Sequence, residues 1–361
     1  MGFEKTFHQR RVLITGHTGF KGSWLSTWLL DLGAVVAGYS LKTPPTTPSN
    51  YSLCHLNDHV ENFEGDVSDY TNLYRCIESF QPDVIFHMAA QPLVIPSLEE
   101  PRTTFDHNVM GTVNLLEAVR LTQSVRAVIC ITTDKVYANQ EWVWGYREGD
   151  RLGGKDPYSA SKAMAELAVD AYRQSFFRAD WYDQHGVALA TARAGNVIGG
   201  GDFAAYRLVP DCMAALMADK PIVIRNPAYV RPWQHVLVPL SGYLRLAQKL
   251  LNEGPRYAEA WNFGPPEIEG ITTGQIADKL IKLWGSGSWI NENPDLLKRE
   301  TGRLKLSWEK GAERLNWQPV YDWQEALEEI VAWYRAYQNE ENMLEVCRRH
   351  VKAFSEKFDS L

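Results

Sequence analysis

Through the first half of the chain, short apolar runs alternate with stretches whose apolar positions recur every three or four residues. Residues 11–15 (RVLIT) form a β-rich run that ends in glycines, and residues 22–32 then place Trp24, Leu25, Trp28, Leu29 and Leu32 on one helical face. Further strands are predicted at 34–39, 60–65, 83–89 and 127–133, and helices at 69–80, with Ser68 or Asp69 as cap, and at 105–121. The strands are continuously apolar rather than alternating, which requires cover on both faces. That pattern predicts an α/β fold, a doubly wound parallel sheet of Rossmann type.

The second half is less regular. A long helix at 157–177 and a strand at 188–194 are followed by a helix near 211–218, a strand at 222–225, and helices near 240–251 and 273–283. Residues 261–264 read as a strand returning to the first sheet. In the stretch 340–358, Met343, Cys347, Val351, Phe354 and Phe358 fall at four- and three-residue steps, with acidic residues leading and basic ones following. This helix is expected to dock on the body or on a second subunit. The division expected is a dinucleotide-binding domain at 1–190, joined by a returning segment near 230–264, and a smaller mixed substrate-binding domain at 191–361 with C-terminal helices.

Composition narrows the function classes. Of the 361 residues, 45% are hydrophobic and 22% charged, enough for a large core and incompatible with wholesale disorder. The net charge of −7 supplies no basic footprint for nucleic acid or anionic lipid. No apolar run approaches a membrane span, and Glu4, Lys5, Arg10 and Arg11 leave no room for a secretory signal. The five cysteines are odd in number and widely spaced, which fits reduced thiols in the cytoplasm, and no metal motif is present.

Two motifs carry chemistry. Gly16-His17-Thr18-Gly19-Phe20-Lys21-Gly22 lies between the first strand and first helix, where glycines let the backbone approach a pyrophosphate and the helix N-terminus presents free amides. A plain tight turn is the bland alternative. Lys21 precedes Gly22, which breaks the order of an ATPase P-loop. The acidic residue expected about 20 positions on to read the ribose is missing, since the second strand ends Tyr39-Ser40-Leu41-Lys42. NAD and NADP are therefore not separated by the residues. Asp66 and Val67 are candidates for the adenine edge, with a plain helix-start acid a close second reading of Asp66. The second motif is Tyr158-Ser159-Ala160-Ser161-Lys162, which puts Tyr158 and Lys162 on one helix face. An adjacent ammonium lowers a phenol's pKa and makes it a usable base.

Together GHTGFKG, YSASK and the strand-end TTDKVY resemble the extended short-chain dehydrogenase/reductase superfamily, in its nucleotide-sugar 4,6-dehydratase branch, from about residue 10 to 337. In that branch a Thr-Asp-Glu triplet follows the fifth strand, and the matching positions are Thr133, Asp134 and Lys135. Lysine in place of glutamate, with RPWQHV at 231–236 and GYREGDRLGGKDPYSASKA at 145–163, is similar to the CDP-glucose 4,6-dehydratases. The resemblance implies a cytoplasmic, NAD-dependent hydro-lyase acting on a CDP-hexose toward deoxysugars of surface polysaccharides, assembled as a homodimer or homotetramer. It implies a cofactor site of Gly16, Thr18, Gly19, Phe20, Lys21, Gly22, Asp66, Val67, Ala89 and Ala90, with Tyr158 and Lys162 at the reacting end. Substrate contacts are expected from Gln91, Arg193, Asn196, Arg225 and Arg231, because the planar fork of arginine suits a diphosphate.

The chemistry needs these groups. A hexose C5–H is too weakly acidic to remove until carbon 4 is oxidised to a ketone, after which the carbon 6 hydroxyl is a β leaving group. Tyr158 is expected to take the carbon 4 hydroxyl proton, Lys162 to lower the Tyr158 pKa, and Thr133 to orient the sugar. Asp134 is expected to protonate the leaving hydroxyl. Lys135 would be the carbon 5 base in neutral form, its pKa lowered by Lys162 and the oxidised nicotinamide, or would stay charged and stabilise the enolate. The alternatives are a 4-epimerase, which has no need of Asp134 and Lys135, a dehydratase of another nucleotide hexose, or a silent dinucleotide sensor.

Overall fold

The computed structural model describes residues 2–266, 270–291 and 304–360. Seven parallel strands form the central sheet: β1 (Arg11–Thr15), β2 (Val35–Ser40), β3 (Glu61–Glu64), β4 (Val84–His87), β5 (Ala127–Ile131), β6 (Ala188–Ala194) and β7 (Ala260–Phe263). Their order is 3-2-1-4-5-6-7. The connection reverses between β1 and β4, so the crevice at their carboxyl ends is where a ligand is received. Every residue of β4, β5 and β6 is buried, and β5 (AVICI) accordingly reads as an unbroken apolar run. Alternate residues feed two cores: Val12 and Ile14 face one side of the sheet, and Leu13 and Ala37 the other. The expected return of the chain to the sheet is present, since Ala260–Phe263 pairs parallel with β6.

Helix α1 (Phe20–Asp31) follows β1, and α2 (Tyr70–Phe80) is capped by Asp69, whose side chain accepts from the Asn72 amide at 3.1 Å. The helix expected at 105–121 differs. It starts earlier, at Pro101, and opens into a π turn over Asp106–Met110 before continuing as α3 (Gly111–Arg120). The wide turn holds Asn108 inward, where Oδ1 accepts from the Gln91 amide at 2.8 Å and Nδ2 donates to the Gln91 carbonyl at 3.0 Å and Ser161 Oγ at 2.9 Å. A 3.6-residue period does not register one extra residue in a turn.

Helix α4 (Pro157–Ser175) carries the YSASK sequence, and α5 (Leu237–Glu253) packs beside β5 and β6. Residues Gln234–His235 of RPWQHV pair with Val197–Ile198, bringing that motif to the carboxyl edge. Helices α6 (Trp323–Gln338) and α7 (Met343–Asp359) close the back of the molecule. As expected, α7 docks on the body. Phe354 meets Trp28 edge-on at 5.6 Å and Tyr321 at 5.1 Å, and Phe358 stacks on Phe3 at 5.9 Å. Among the described residues no helix is long and apolar enough to cross a membrane.

Phe354 is fully buried at this junction. Phe354→Ala is expected to lower unfolding free energy by about 3–5 kcal/mol, read from the urea midpoint at unchanged slope. A loss below about 1 kcal/mol would show that α7 is not part of the folded core.

Candidate active site

The glycine turn is built by backbone packing. Gly16 has φ +75°, and a Cβ there would lie 2.8 Å from the Ala89 backbone, so the turn sits directly against the end of β4. Thr15 Oγ1 accepts from the amides of Met88 and Ala89, both at 3.2 Å, and so fixes the Ala89–Ala90 side of the crevice. Gly19 is the N-cap of α1 and supplies no side-chain cap, which leaves first-turn amides free for an anion. Gly22 lies in the first turn, Thr18 Oγ1 donates to Ser40 Oγ at 3.2 Å, and Phe20 packs toward Gly199. This cradle fits the pyrophosphate of a dinucleotide. Asp66 holds a turn, accepting from the Ser68 amide and hydroxyl at 2.8 Å each and contacting His107 Nε2 at 3.1 Å. Burial alone would raise Asp66, but these bonds hold its carboxyl below the usual range. Val67 is buried beneath Gly111.

Residues Thr132 and Thr133 leave β5, and Asp134–Val136 turns in a single 3₁₀ step. Asp134 is buried: Oδ1 accepts from Thr133 Oγ1 at 3.0 Å and from Lys135 Nζ at 3.3 Å, while Oδ2 has no partner among the described residues. Gly195 makes room for that oxygen, since a Cβ there would lie 2.2 Å from it. Opposite stands α4, capped by Asp156, whose Oδ1 accepts from the Ser159 amide at 2.9 Å. Tyr158 is buried in its first turn, and its hydroxyl bonds to Thr133.

Two electrostatic expectations are corrected. Burial pushes the Tyr158 phenol up, and the cations that oppose this are Lys135 and Arg207. Lys162 instead donates to the Ile131 carbonyl at 3.2 Å, and its burial lowers it to about 8. Lys135 is not lowered either: burial pulls it down, but the charges of Asp134 and Tyr158 prevail and hold it above an ordinary lysine. Lys21, grouped with the cofactor contacts, also reaches the reacting centre. Burial, with Lys162 and Arg207, lowers it to about 7, and Asp134 pulls the other way.

The expected substrate residues divide. Asn196 has a buried Nδ2 with no partner among the described residues, free for a ligand. Arg231 faces the site and lowers Lys135, while Arg225 is exposed and lies over Tyr206 at 5.6 Å. Gln91 uses both ends of its amide locally, Nε2 donating to Leu93 O and Thr104 Oγ1 and Oε1 accepting from Leu93 N. Arg193 is 3% exposed and engaged with Glu166, Tyr137 and the Glu148 carbonyl, so it presents no fork to a diphosphate. Arg207, missed in the sequence, bonds Asp202 at 2.8 Å and adds positive charge beside Tyr158 and Lys21. An arginine ahead of an apolar helix gave no signal that would single it out. Among the described residues no cluster of His, Cys, Asp or Glu is suited to hold a metal ion.

A family model described as GDP-mannose 4,6 dehydratase matches residues 13–249. A CDP-glucose 4,6-dehydratase of Salmonella typhimurium is 48% identical over 353 residues, which cover 97% of this chain and 98% of that protein. The chain belongs to the nucleotide-sugar 4,6-dehydratases of the extended short-chain dehydrogenase/reductase superfamily. A dTDP-glucose 4,6-dehydratase of Xanthomonas campestris in this family is 25% identical, covering 89% of this chain and 92% of that one. The fold is shared with DesIV, a dTDP-glucose 4,6-dehydratase of Streptomyces venezuelae solved with NAD (TM-score 0.76, 24% identity, 92% and 99% covered). It is shared too with a Thermus thermophilus UDP-glucose 4-epimerase complexed with NAD (TM-score 0.74, 25% identity, 90% and 99% covered).

For this dehydratase, Gly195→Ala is expected to displace the Asp134 carboxylate and cut turnover at least tenfold, with the circular dichroism spectrum unchanged. Full turnover in the folded variant would remove Asp134 from the reaction.

Proposed function

We propose that the chain is an NAD-dependent CDP-glucose 4,6-dehydratase, yielding CDP-4-keto-6-deoxyglucose, with the dinucleotide held by residues 1–190 and the sugar nucleotide by residues 191–361. The 3.3 Å contact between Lys135 Nζ and buried Asp134, beside Tyr158, carries this reading. The near-full-length likeness to a CDP-glucose 4,6-dehydratase supports the nucleotide. A 4-epimerase has no use for an acid–base pair at this strand end.

NAD held by the Gly16–Gly22 turn would supply a reversible hydride acceptor for sugar carbons 4 and 6. Tyr158, its phenolate favoured against burial by Lys135, Arg207 and the Thr133 hydrogen bond, receives the proton of the carbon 4 hydroxyl, and Thr133 orients that hydroxyl. Asp134 and Tyr158 favour the ammonium form of Lys135, and burial and Arg231 oppose them. In the proposed step a proton passes along the 3.3 Å contact from Lys135 to Asp134, which leaves an amine and a carboxylic acid. Lys135 takes the carbon 5 proton while Asp134 protonates the carbon 6 oxygen, and water leaves. Lys135 then returns its proton to carbon 5, and the proton held by Tyr158 passes back to Lys135. Asn196 and Arg231 are the diphosphate contacts we favour, joined by Arg207.

The enzyme is placed in the cytoplasm, in keeping with five free, buried cysteines. A homodimer or homotetramer is proposed through the exposed apolar faces of α4 (Met164 and Leu167) and of the preceding helix at Met110.

With CDP-[4-²H]glucose in ordinary water, deuterium is expected at carbon 6, and deuterium retained at carbon 4 would overturn dehydration. Tyr158→Phe should lower turnover roughly 10²–10⁴-fold, and Lys135→Met should retain oxidation at carbon 4 while losing elimination and carbon 5 exchange. Lys162, at the reacting end of the cofactor site, is proposed to hold the dinucleotide ribose as an ammonium, and burial lowers it to about 8, so kcat/KM should fall as pH rises through that value. A profile flat to pH 10 would remove the Lys162 charge from the reaction.

A further inference from the structure

Glu166 and Arg193 take no part in the reaction above, yet they form a buried ion pair at its edge, with side chains 3% and 4% exposed. Glu166 lies one turn beyond Lys162 on α4 and accepts from four donors. These are Thr132 Oγ1, Thr191 Oγ1 at 2.7 Å, and Arg193 Nε and Nη2 at 2.9 and 2.7 Å. Arg193 Nη1 donates to the Tyr137 hydroxyl at 2.8 Å and the Glu148 carbonyl at 3.0 Å, and Tyr137 donates to Asn262 Oδ1 at 2.8 Å. Thr132 directly precedes Thr133, Asp134 and Lys135, and Tyr137 follows them by two residues. One ion pair therefore grips the reactive segment at both ends, and its carboxylate belongs to the helix that carries Tyr158 and Lys162.

We propose that the Glu166–Arg193 pair is the positioning element of the active site, holding Thr133, Asp134 and Lys135 in register with Tyr158. Two buried charges are a poor way to fill space, because desolvation offsets much of their attraction. A directional, four-donor carboxylate does what apolar packing cannot: it sets the rotation of a strand end against a helix face. Glu166 has a second effect. The groups that face Lys162 are Glu166 and Cys130, which favour its ammonium form, and Lys21 and His87, whose own shifts include its charge.

The test rests on the proposed reaction for its kinetics and uses hydrogen exchange as a readout that does not. Thr132→Val and Tyr137→Phe each release one end of the segment while leaving the ion pair intact. Each is expected to lower kcat for CDP-glucose about tenfold, with KM within twofold and melting temperature within a few degrees, and to speed amide exchange across 133–137. Glu166→Gln is expected to move the alkaline limb of kcat/KM to lower pH, a change that loss of packing alone would not cause. Should Glu166→Gln fail to fold, the other two variants decide. Unchanged kcat and unchanged exchange in both would overturn the proposal, as would losses of kcat that merely track lost folded protein. If the wild-type enzyme makes no keto sugar from CDP-glucose, the reaction assignment fails, and the exchange data still decide whether the segment is gripped.

Discussion

A carboxylate cannot be taken out of water without a partner, and buried Asp134 takes as its ion-pair partner Lys135, the next residue in the chain. With one oxygen bonded to Thr133 and Lys135 and the other bare among the described residues, it sits at the junction of the strand end, the glycine at 195 and the crevice. The surrounding architecture is arranged around that demand. The sheet ends there, α4 brings a phenol to the same point, and the cations Lys21, Lys135, Arg207 and Arg231 compensate a region that would otherwise gather negative charge from substrate and cofactor phosphates.

Strands and helices of the sheet were legible because burial on both faces writes itself into sequence as unbroken apolar runs. The glycine turn and the Tyr158/Lys162 spacing were legible because each motif is local, with its geometry fixed by a few consecutive residues. What stayed hidden is non-local. The partner of Arg193 is 27 residues away on another element, and nothing in ALATARA says that its guanidinium turns inward to a carboxylate. The same holds for the phenol: a four-residue spacing puts Tyr158 and Lys162 on one face, yet the sheet supplies a nearer carbonyl for the lysine and the turn after β5 supplies a different cation for the tyrosine. The π turn at Asp106–Met110 escaped for a further reason, since periodicity averages over the residue that breaks it.

Fold alone does not select the chemistry, because epimerases and dehydratases share this architecture. The selection lies in three consecutive side chains after β5 and in what surrounds them. Lysine in the third position places the acid and the base in direct contact.

The last helix bears on how the enzyme is made. Arg348 bonds Asp31 at 2.9 Å and Phe354 packs on Trp28, so the outer wall of α1 is furnished by residues from the far end of the described chain. Because domains assemble from the N-terminal side during synthesis, the phosphate cradle emerges from the ribosome first and is backed last. Until α7 docks, the Trp28 face of α1 lacks the aromatic cover of Phe354, and Trp24 lacks that of His350.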